Sequence, residues 1–434
     1  MRLSGPRAFA IAEQLAGPLP APRQSALRHF RDAEGEAIDQ GLVLCFAAPH
    51  SFTGEHVVEL QGHGAPVVLA ALVEAAIAQG ARAARPGEFS ERAYLNGRID
   101  LAQAEAIADL IDAASTQAAR AAQRSLDGVF SARVAALTEA LIQLRVYVEG
   151  ALDFSDEDIN WLGEAALHQR IAQWLSDLDT LLGEAAQGRR LREGLVIALT
   201  GRPNAGKSTL LNRLAGTEAA IVSPTPGTTR DLLRENILLE GIPLTLVDTA
   251  GLRDTDDAVE REGVRRAREA LGKAELALFL ADDREASDDG APGAADQALL
   301  DTLPAALPVL LLLNKCDLSA RPAGALASEP QRVTLRLSAA SGEGLPALQQ
   351  QLRLHCGSNA GHEGLFIART RHLTALKAAG SAVRQAQRRL QAAERVELAA
   401  EELRLAQRAL DDITGPFAAD DLLGRVFSQF CIGK

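Results

Sequence analysis

The segment Gly201-Arg202-Pro203-Asn204-Ala205-Gly206-Lys207-Ser208 constrains this chain more than any other feature. It fits the pattern G-x-x-x-x-G-K-S/T, follows the apolar run Leu195-Val196-Ile197-Ala198-Leu199 and opens a segment of helical composition. A strand, a glycine loop and a helix in that order imply a parallel α/β sheet around them. In such a loop the backbone N–H groups and the helix N-terminus surround phosphates. Lys207 is the cation for the β and γ oxygens, and Ser208 offers a hydroxyl to Mg²⁺. Asn204, Ala205, Gly206 and Thr209 complete the phosphate-side candidates.

Further apolar runs at Leu244–Val247, Leu276–Leu280 and Val309–Leu313 are short and bounded by Gly, Asp, Asn or Pro. That is the texture of buried parallel strands. Asp248-Thr249-Ala250-Gly251 follows one of them, as a second Mg²⁺-side element should. Asn314-Lys315-Cys316-Asp317 follows another. The Asp317 carboxylate can accept from guanine N1 and N2 hydrogens, which adenine does not present. Ser338-Ala339-Ala340 then supplies a small backbone contact to the base. Order and spacing are those of a GTP-binding domain. Between the phosphate loop and Asp248 lie Ser223-Pro224-Thr225-Pro226 and Gly227-Thr228-Thr229-Arg230-Asp231. Thr229 is the candidate switch threonine on Mg²⁺.

A Ras-type site places a glutamine directly after D-x-x-G to position water. Here that position is Leu252, which cannot orient water. Asp254, Asp256, Asp257, Glu260 and Glu262 follow, and composition does not choose among them. No arginine has an obvious finger role, so a cation near the phosphates must come from a partner subunit or a bound metal. Asn204 and the Ser223 to Pro226 segment hold hard oxygen donors for a monovalent ion. A turn-stabilising role for Asn204 is equally open.

Proline is absent between Pro86 and Pro203 and between Pro346 and Pro416. Both stretches are rich in helix formers, and Leu101–Ile111 repeats its apolar residues at helical spacing. The nucleotide-binding domain is thus inserted in a helical one. Ala281–Asp296, dense in Asp, Gly and Ala, is expected to be a mobile surface loop. In the first hundred residues Gly41–Phe46 and His56–Leu60 look like strands and Pro66–Gln79 like a helix, giving a small α/β domain. The net charge of -12 argues against holding RNA by bulk charge alone. No apolar run is long enough to span a membrane. The cysteines Cys45, Cys316, Cys356 and Cys431 lack metal spacing and read as reduced thiols in a cytoplasmic protein.

The chain also resembles the MnmE (TrmE) family of bacterial tRNA-modification GTPases over nearly its whole length. The resemblance rests on Ser51-Phe52-Thr53-Gly54-Glu55, Glu59-Leu60-Gln61-Gly62-His63-Gly64 and the run from Ala84-Arg85-Pro86-Gly87-Glu88-Phe89 to Ala93. It continues through Leu101–Ile107 and the GTPase motifs to Asp421–Arg425 and the terminal Cys431-Ile432-Gly433-Lys434. It implies a multidomain α/β and all-α architecture. Residues 1–98 would be an N-terminal α/β domain of folate-binding type, 99–193 and 356–434 a split helical domain, and 194–355 an inserted Ras-like P-loop GTPase domain.

The resemblance implies a homodimer through the N-terminal domains and potassium-dependent GTP hydrolysis when two G domains approach. Asn204, Ser223, Thr225 and Thr228 fall on the potassium positions; position 225 is usually apolar and contributes a backbone oxygen. Glu260 falls on the glutamate that orients water. Arg2, Glu59, Arg98 and Lys434 match contacts to a 5-formyltetrahydrofolate-type one-carbon donor. With an FAD-dependent partner (MnmG, also GidA) in a heterotetrameric-type complex, such proteins install a (carboxymethyl)aminomethyl-type group on carbon 5 of the wobble uridine of certain tRNAs. Cys431 occupies the family's C-terminal cysteine and is either catalytic or a buried thiol.

Family members usually begin roughly twenty residues earlier, so this chain starts inside their first strand; either the start codon is misassigned or the chain is shortened, and if it is shortened Arg2 is expected on a frayed terminus. His63 is read as a turn histidine or a one-carbon-site residue. Arg369, Arg371, Arg384, Arg388, Arg389 and Arg395 form a basic helical stretch that either contacts RNA or is a solvated face. Trp161 and Trp174 read as core. The competing function is an RNA-binding GTPase switch in ribosome assembly. That class carries an RNA-binding domain after its G domain, whereas this chain returns to helices.

Overall fold

The computed structural model describes residues 1–153, 164–217, 234–239, 242–248, 271–272, 274–329, 332–356, 365–391 and 396–415. In chain order the first elements are β1 (Arg2–Ser4), α1 (Ala8–Ala16), β2 (Ser25–Arg31), β3 (Ala37–Phe46), β4 (Val57–Gln61), α2 (Pro66–Ala78) and α3 (Glu88–Leu95). Helices α4 (Leu101–Ile111), α5 (Thr116–Leu126), α6 (Val129–Asp153) and α7 (Glu164–Glu193) follow. Then come β5 (Leu195–Gly201), α8 (Lys207–Thr217), β6 (Arg234–Leu239), β7 (Ile242–Asp248), β8 (Leu276–Asp282), α9 (Ala294–Leu300), β9 (Val309–Asn314), α10 (Cys316–Ser319), β10 (Gly324–Glu329), β11 (Arg332–Arg336) and α11 (Leu345–Cys356). Helices α12 (Thr370–Gln391) and α13 (Val396–Thr414) close the series.

These elements form two compact units. One comprises Met1–Ala108, Ser125–Leu178 and Thr374–Lys434. Its antiparallel sheet has the order β1-β4-β3-β2. The pleat sends Val43 and Cys45 of β3 inward while Leu42 faces out. Helices α1 and α2 cover the inner face, with Ile11, Leu15, Phe30, Val58, Leu60 and Leu72 in one core. In the helical part, Phe130, Val134, Leu137, Leu141, Leu144 and Val148 of α6 are buried at steps of three and four residues. α13 meets α6 with Ala399, Leu403, Ala406 and Leu410 buried. Trp174 is buried as expected, and its indole N–H donates to the Leu137 carbonyl at 2.9 Å.

Arg2 does not sit on a frayed terminus. β1 pairs with β4 in register, Arg2 opposite Glu59, and the terminal amine donates to the Leu60 carbonyl at 2.8 Å. Backbone pairing and an ion pair hold the residue, so it is not frayed.

The other unit comprises Asp109–Arg124 and Asp179–Leu373. Its sheet has the order β10-β11-β9-β8-β5-β7-β6, parallel from β11 to β7, with β6 and β10 antiparallel at the edges. The runs expected as buried strands are β5, β7, β8 and β9, and Leu276–Ala281 of β8 are all buried.

The Ala281–Asp296 expectation needs correction. Ala281 and Asp282 belong to β8, and Ala294 to Asp296 open α9. Asp283 and Asp296 are buried, because arginines elsewhere in the unit neutralise Asp283 and face Asp296. Composition alone reads such aspartates as solvated.

Candidate nucleotide site

Strand β5 ends at Gly201 and α8 starts at Lys207, so the phosphate loop sits where strand gives way to helix. Gly206 has φ +100, and a Cβ there would lie 2.2 Å from the Asn314 Nδ2. Only glycine allows the loop this close to the base-side strand. Asn204 is exposed and left-handed at φ +65, a conformation asparagine tolerates. The Lys207 ammonium donates to the carbonyls of Gly201 at 2.7 Å and Arg202 at 3.0 Å, so it curls over the loop. Ser208 and Thr209 are exposed in the first turn of α8, and Ala205 is buried.

Asn314, at the end of β9, reaches the same loop. The Asn314 Nδ2 donates to the Ala205 carbonyl at 2.7 Å, and its Oδ1 accepts from the Ala339 N–H at 2.9 Å. Lys315 is left-handed at φ +73, and its ammonium lies 2.9 Å from Asp282 Oδ2. The Asp282 carboxyl is held well below the usual carboxylate range, first by Arg284 and then by Lys315. Asp317 is exposed in the first turn of α10. Ser338 is buried, and its Oγ accepts from the Ser341 N–H.

In the N-terminal unit, Arg2 donates to Glu59 Oε1 at 2.7 Å. Its guanidinium carbon lies 5.8 Å from the Phe52 ring centroid and 5.7 Å from that of Phe89, within cation–π reach. Arg98 runs beside the Ser51–Glu55 loop, its Cγ 3.3 Å from where a Cβ of Gly54 would stand. Glu88 accepts from Arg82, Arg92 and the Arg85 N–H, and Arg92 also donates to Glu55. His63 is largely exposed and paired with Asp39 at 2.8 Å. This pair, with the His63 N–H on the same carboxylate, holds Asp39 below its ordinary value.

Residues 1–98 match the family described as GTP-binding protein TrmE N-terminus, and residues 101–431 match the MnmE helical domain. The chain is 52% identical over 434 residues to the tRNA modification GTPase MnmE of Methylococcus capsulatus, covering 100% of this chain and 95% of that protein. The same-named proteins of Nitrosococcus oceani (52%, 100% and 93% covered) and Stutzerimonas stutzeri (53%, 100% and 95% covered) are similar. The chain belongs to the MnmE family. Among solved structures, Era from Aquifex aeolicus in its GDP·AlF4⁻ form is similar at 24% identity, over 43% of this chain and 66% of that one, with a TM-score of 0.30.

Several residues singled out by the sequence or by the MnmE resemblance lie outside the described residues. These are Ser223, Pro224, Thr225, Pro226, Gly227, Thr228, Thr229, Thr249, Ala250, Gly251, Glu260, Cys431 and Lys434, with Trp161 and Arg395. Asp248 ends β7, opposite Leu199 of β5, so its backbone stands beside the phosphate-loop strand. Arg388 is exposed, while Arg389 pairs with Glu402 and Arg369 with the buried Asp109. The basic stretch is therefore partly tied up in ion pairs. Sequence reasoning missed Asp282, Asp283 and Arg336, which hold the base-side loops, and Phe52 and Phe89, which flank Arg2. For Phe52 and Phe89 the signal was present, since both stand in the quoted N-terminal motifs.

Among the described residues no helix is long and apolar enough to cross a membrane.

Proposed function

We propose that this member of the MnmE family is a potassium-dependent GTPase, acting with an FAD-dependent partner on tRNA. The product is a (carboxymethyl)aminomethyl-type group on carbon 5 of the wobble uridine. The observation that carries the GTPase half is the Asn314 carboxamide, bonded to Ala205 on the phosphate side and Ala339 on the base side. One side chain thereby sets the distance between a phosphate cradle and a guanine-reading loop. The tRNA half draws its support from full-length kinship with proteins named for tRNA modification.

In this reading the loop N–H groups from Asn204 to Thr209 bind the β and γ phosphates. Lys207 leaves the Gly201 and Arg202 carbonyls to neutralise them. Asp317 accepts the guanine N1 and N2 hydrogens, and Ser338 and Ala339 border the base. Glu260 orients the attacking water in place of the glutamine that Leu252 replaces. The exposed Asn204 carboxamide and Ser208 hydroxyl are hard oxygen donors of the kind K⁺ and Mg²⁺ take. Asp248 and Thr229 on the Mg²⁺ side, and Ser223, Thr225 and Thr228 on the K⁺ side, complete the two sets. When bound, the two ions supply positive charge beside the transferring phosphoryl group.

The N-terminal domain, residues 1–98, takes the one-carbon folate. The Arg2–Glu59 pair offers hydrogen-bonding groups, and the two phenyl rings an apolar surface, to the ring system of such a ligand. Arg98 and Lys434 complete that site. A homodimer through this domain accounts for apolar side chains left in solvent: Val67, Val73 and Ile77 on α2, and the cross-strand pair Leu27 and Leu42. The helical domain, 99–193 and 356–434, flanks the G domain, 194–355. Nucleoside analysis of wobble uridines in a deletion strain tests the whole reading. Loss of the modification, restored by this chain, is expected; an unchanged nucleoside profile refutes it.

A further inference from the structure

Asp283 follows the last residue of β8 and is fully buried. All of its polar atoms are engaged. Its N–H donates to the Asn314 carbonyl at 2.8 Å. Its carbonyl accepts from Arg321 at 2.7 Å. Its Oδ1 accepts from the Arg336 Nε at 2.7 Å, and its Oδ2 accepts from the Ser319 hydroxyl. Ser319 is the last residue of α10, which carries Asp317, and Arg336 is the last residue of β11, two residues before Ser338. One carboxylate therefore bridges the loop that reads the base edge and the loop that borders the base.

The arrangement carries an energetic cost. Arg336 has only 4% of its side chain exposed and Asp283 none. Burying such a pair carries a desolvation penalty that apolar residues of the same volume would avoid. Such a pair is therefore weak evidence for stabilisation.

We propose that Asp283, through Arg336 and Ser319, is a positioning residue for guanine discrimination. It holds Asp317 and the Ser338–Ala339 segment at the separation a guanine requires. The inference rests on the reading of Asp317 as the base acceptor.

The test uses the full-length chain with its partner and compares steady-state hydrolysis of GTP and of inosine triphosphate, which lacks the 2-amino group. The double variant Asp283→Leu/Arg336→Met removes both charges together, so no unpaired buried charge remains. Its KM for GTP is expected to rise roughly tenfold, the equivalent of one well-placed hydrogen bond to a charged group, while kcat changes much less. KM for inosine triphosphate rises less, so the ratio between the two substrates narrows. A role in stability alone would weaken both nucleotides equally, and an unchanged ratio overturns the proposal.

Ser319→Ala deletes one bond to the same carboxylate and leaves the ion pair. It should narrow the ratio in the same direction by a smaller factor, and it decides the matter if the double variant does not fold. Asp317→Asn with xanthosine triphosphate separates the two levels. If that variant gains no preference for xanthine, the base-acceptor reading itself fails. If it does gain one and the Asp283 and Ser319 variants keep the parent ratio, only the positioning role fails.

Discussion

Asn314 and Ala205 are joined across the nucleotide site by a buried 2.7 Å hydrogen bond from the carboxamide Nδ2 to the backbone carbonyl. Because the same side chain accepts from the Ala339 N–H, the phosphate loop and the base-side loop cannot move apart without breaking a buried bond. The fit leaves no room at Gly206, whose missing Cβ would touch the Nδ2 at 2.2 Å.

Gly206→Ala should therefore push the carboxamide away and strain a residue at φ +100. Titration of a fluorescent GDP analogue should show affinity lower by about tenfold or more, since backbone strain of this kind costs about 1–3 kcal/mol. Affinity within a few fold of the parent would mean that the loop absorbs the methyl and that the contact is not limiting.

The proposed potassium site is tested most cleanly at Asn204. This residue is left-handed, so alanine would remove the carboxamide and strain the backbone together. Asn204→Gly tolerates φ +65 and removes only the ligand. The parent should hydrolyse GTP much faster in potassium than in sodium, and the glycine variant should lose that difference. Equal rates of the parent in the two salts would remove the potassium reading.

The buried Asp109 carboxylate lies 2.6 Å from Arg192 and 2.7 Å from Arg369, with 4% of its side chain exposed. Removing it leaves two guanidinium groups facing a small cavity without their shared counter-charge. Asp109→Ala should lower stability by about 3 kcal/mol, read from the midpoint of urea unfolding. A midpoint equal to the parent's would mean that water replaces the carboxylate at no cost.

Strands β5, β7, β8 and β9 were legible because a strand covered on both faces must be apolar along its length. The edge strands were not. β6 and β10 lie at the sheet margins, where Arg234, Glu235 and Glu329 can stand, so their sequences carry no continuous run. β11 was hidden by its own arginines, Arg332 and Arg336. Arg336 is buried only because Asp283, 53 residues away, neutralises it. The same reason divides the candidate site. Lys207, Asn314 and Asp317 stand in motifs of fixed spacing, so their places at the ends of β5 and β9 were legible. Asp282 and Asp283 were not, because their roles come from partners that only the fold brings near.

Glu88 gives the pH prediction. Its carboxyl is lowered from 4.5 to about 2, chiefly by the Arg82 guanidinium, with the Arg85 N–H and Arg92 adding to it against the opposing effect of burial. A carboxyl whose folded value is depressed stabilises the fold fully above its unfolded value. That contribution is lost as pH falls toward the folded value, so the window runs from 4.5 down to about 2. Glu88→Gln cannot titrate. Unfolding of the two proteins, followed at a series of pH values by near-ultraviolet circular dichroism, should show the parent losing its advantage over the variant across that window. Above the window the gap should be constant. A gap that stays constant down to pH 2 would mean that the carboxylate is not held by its arginines in solution.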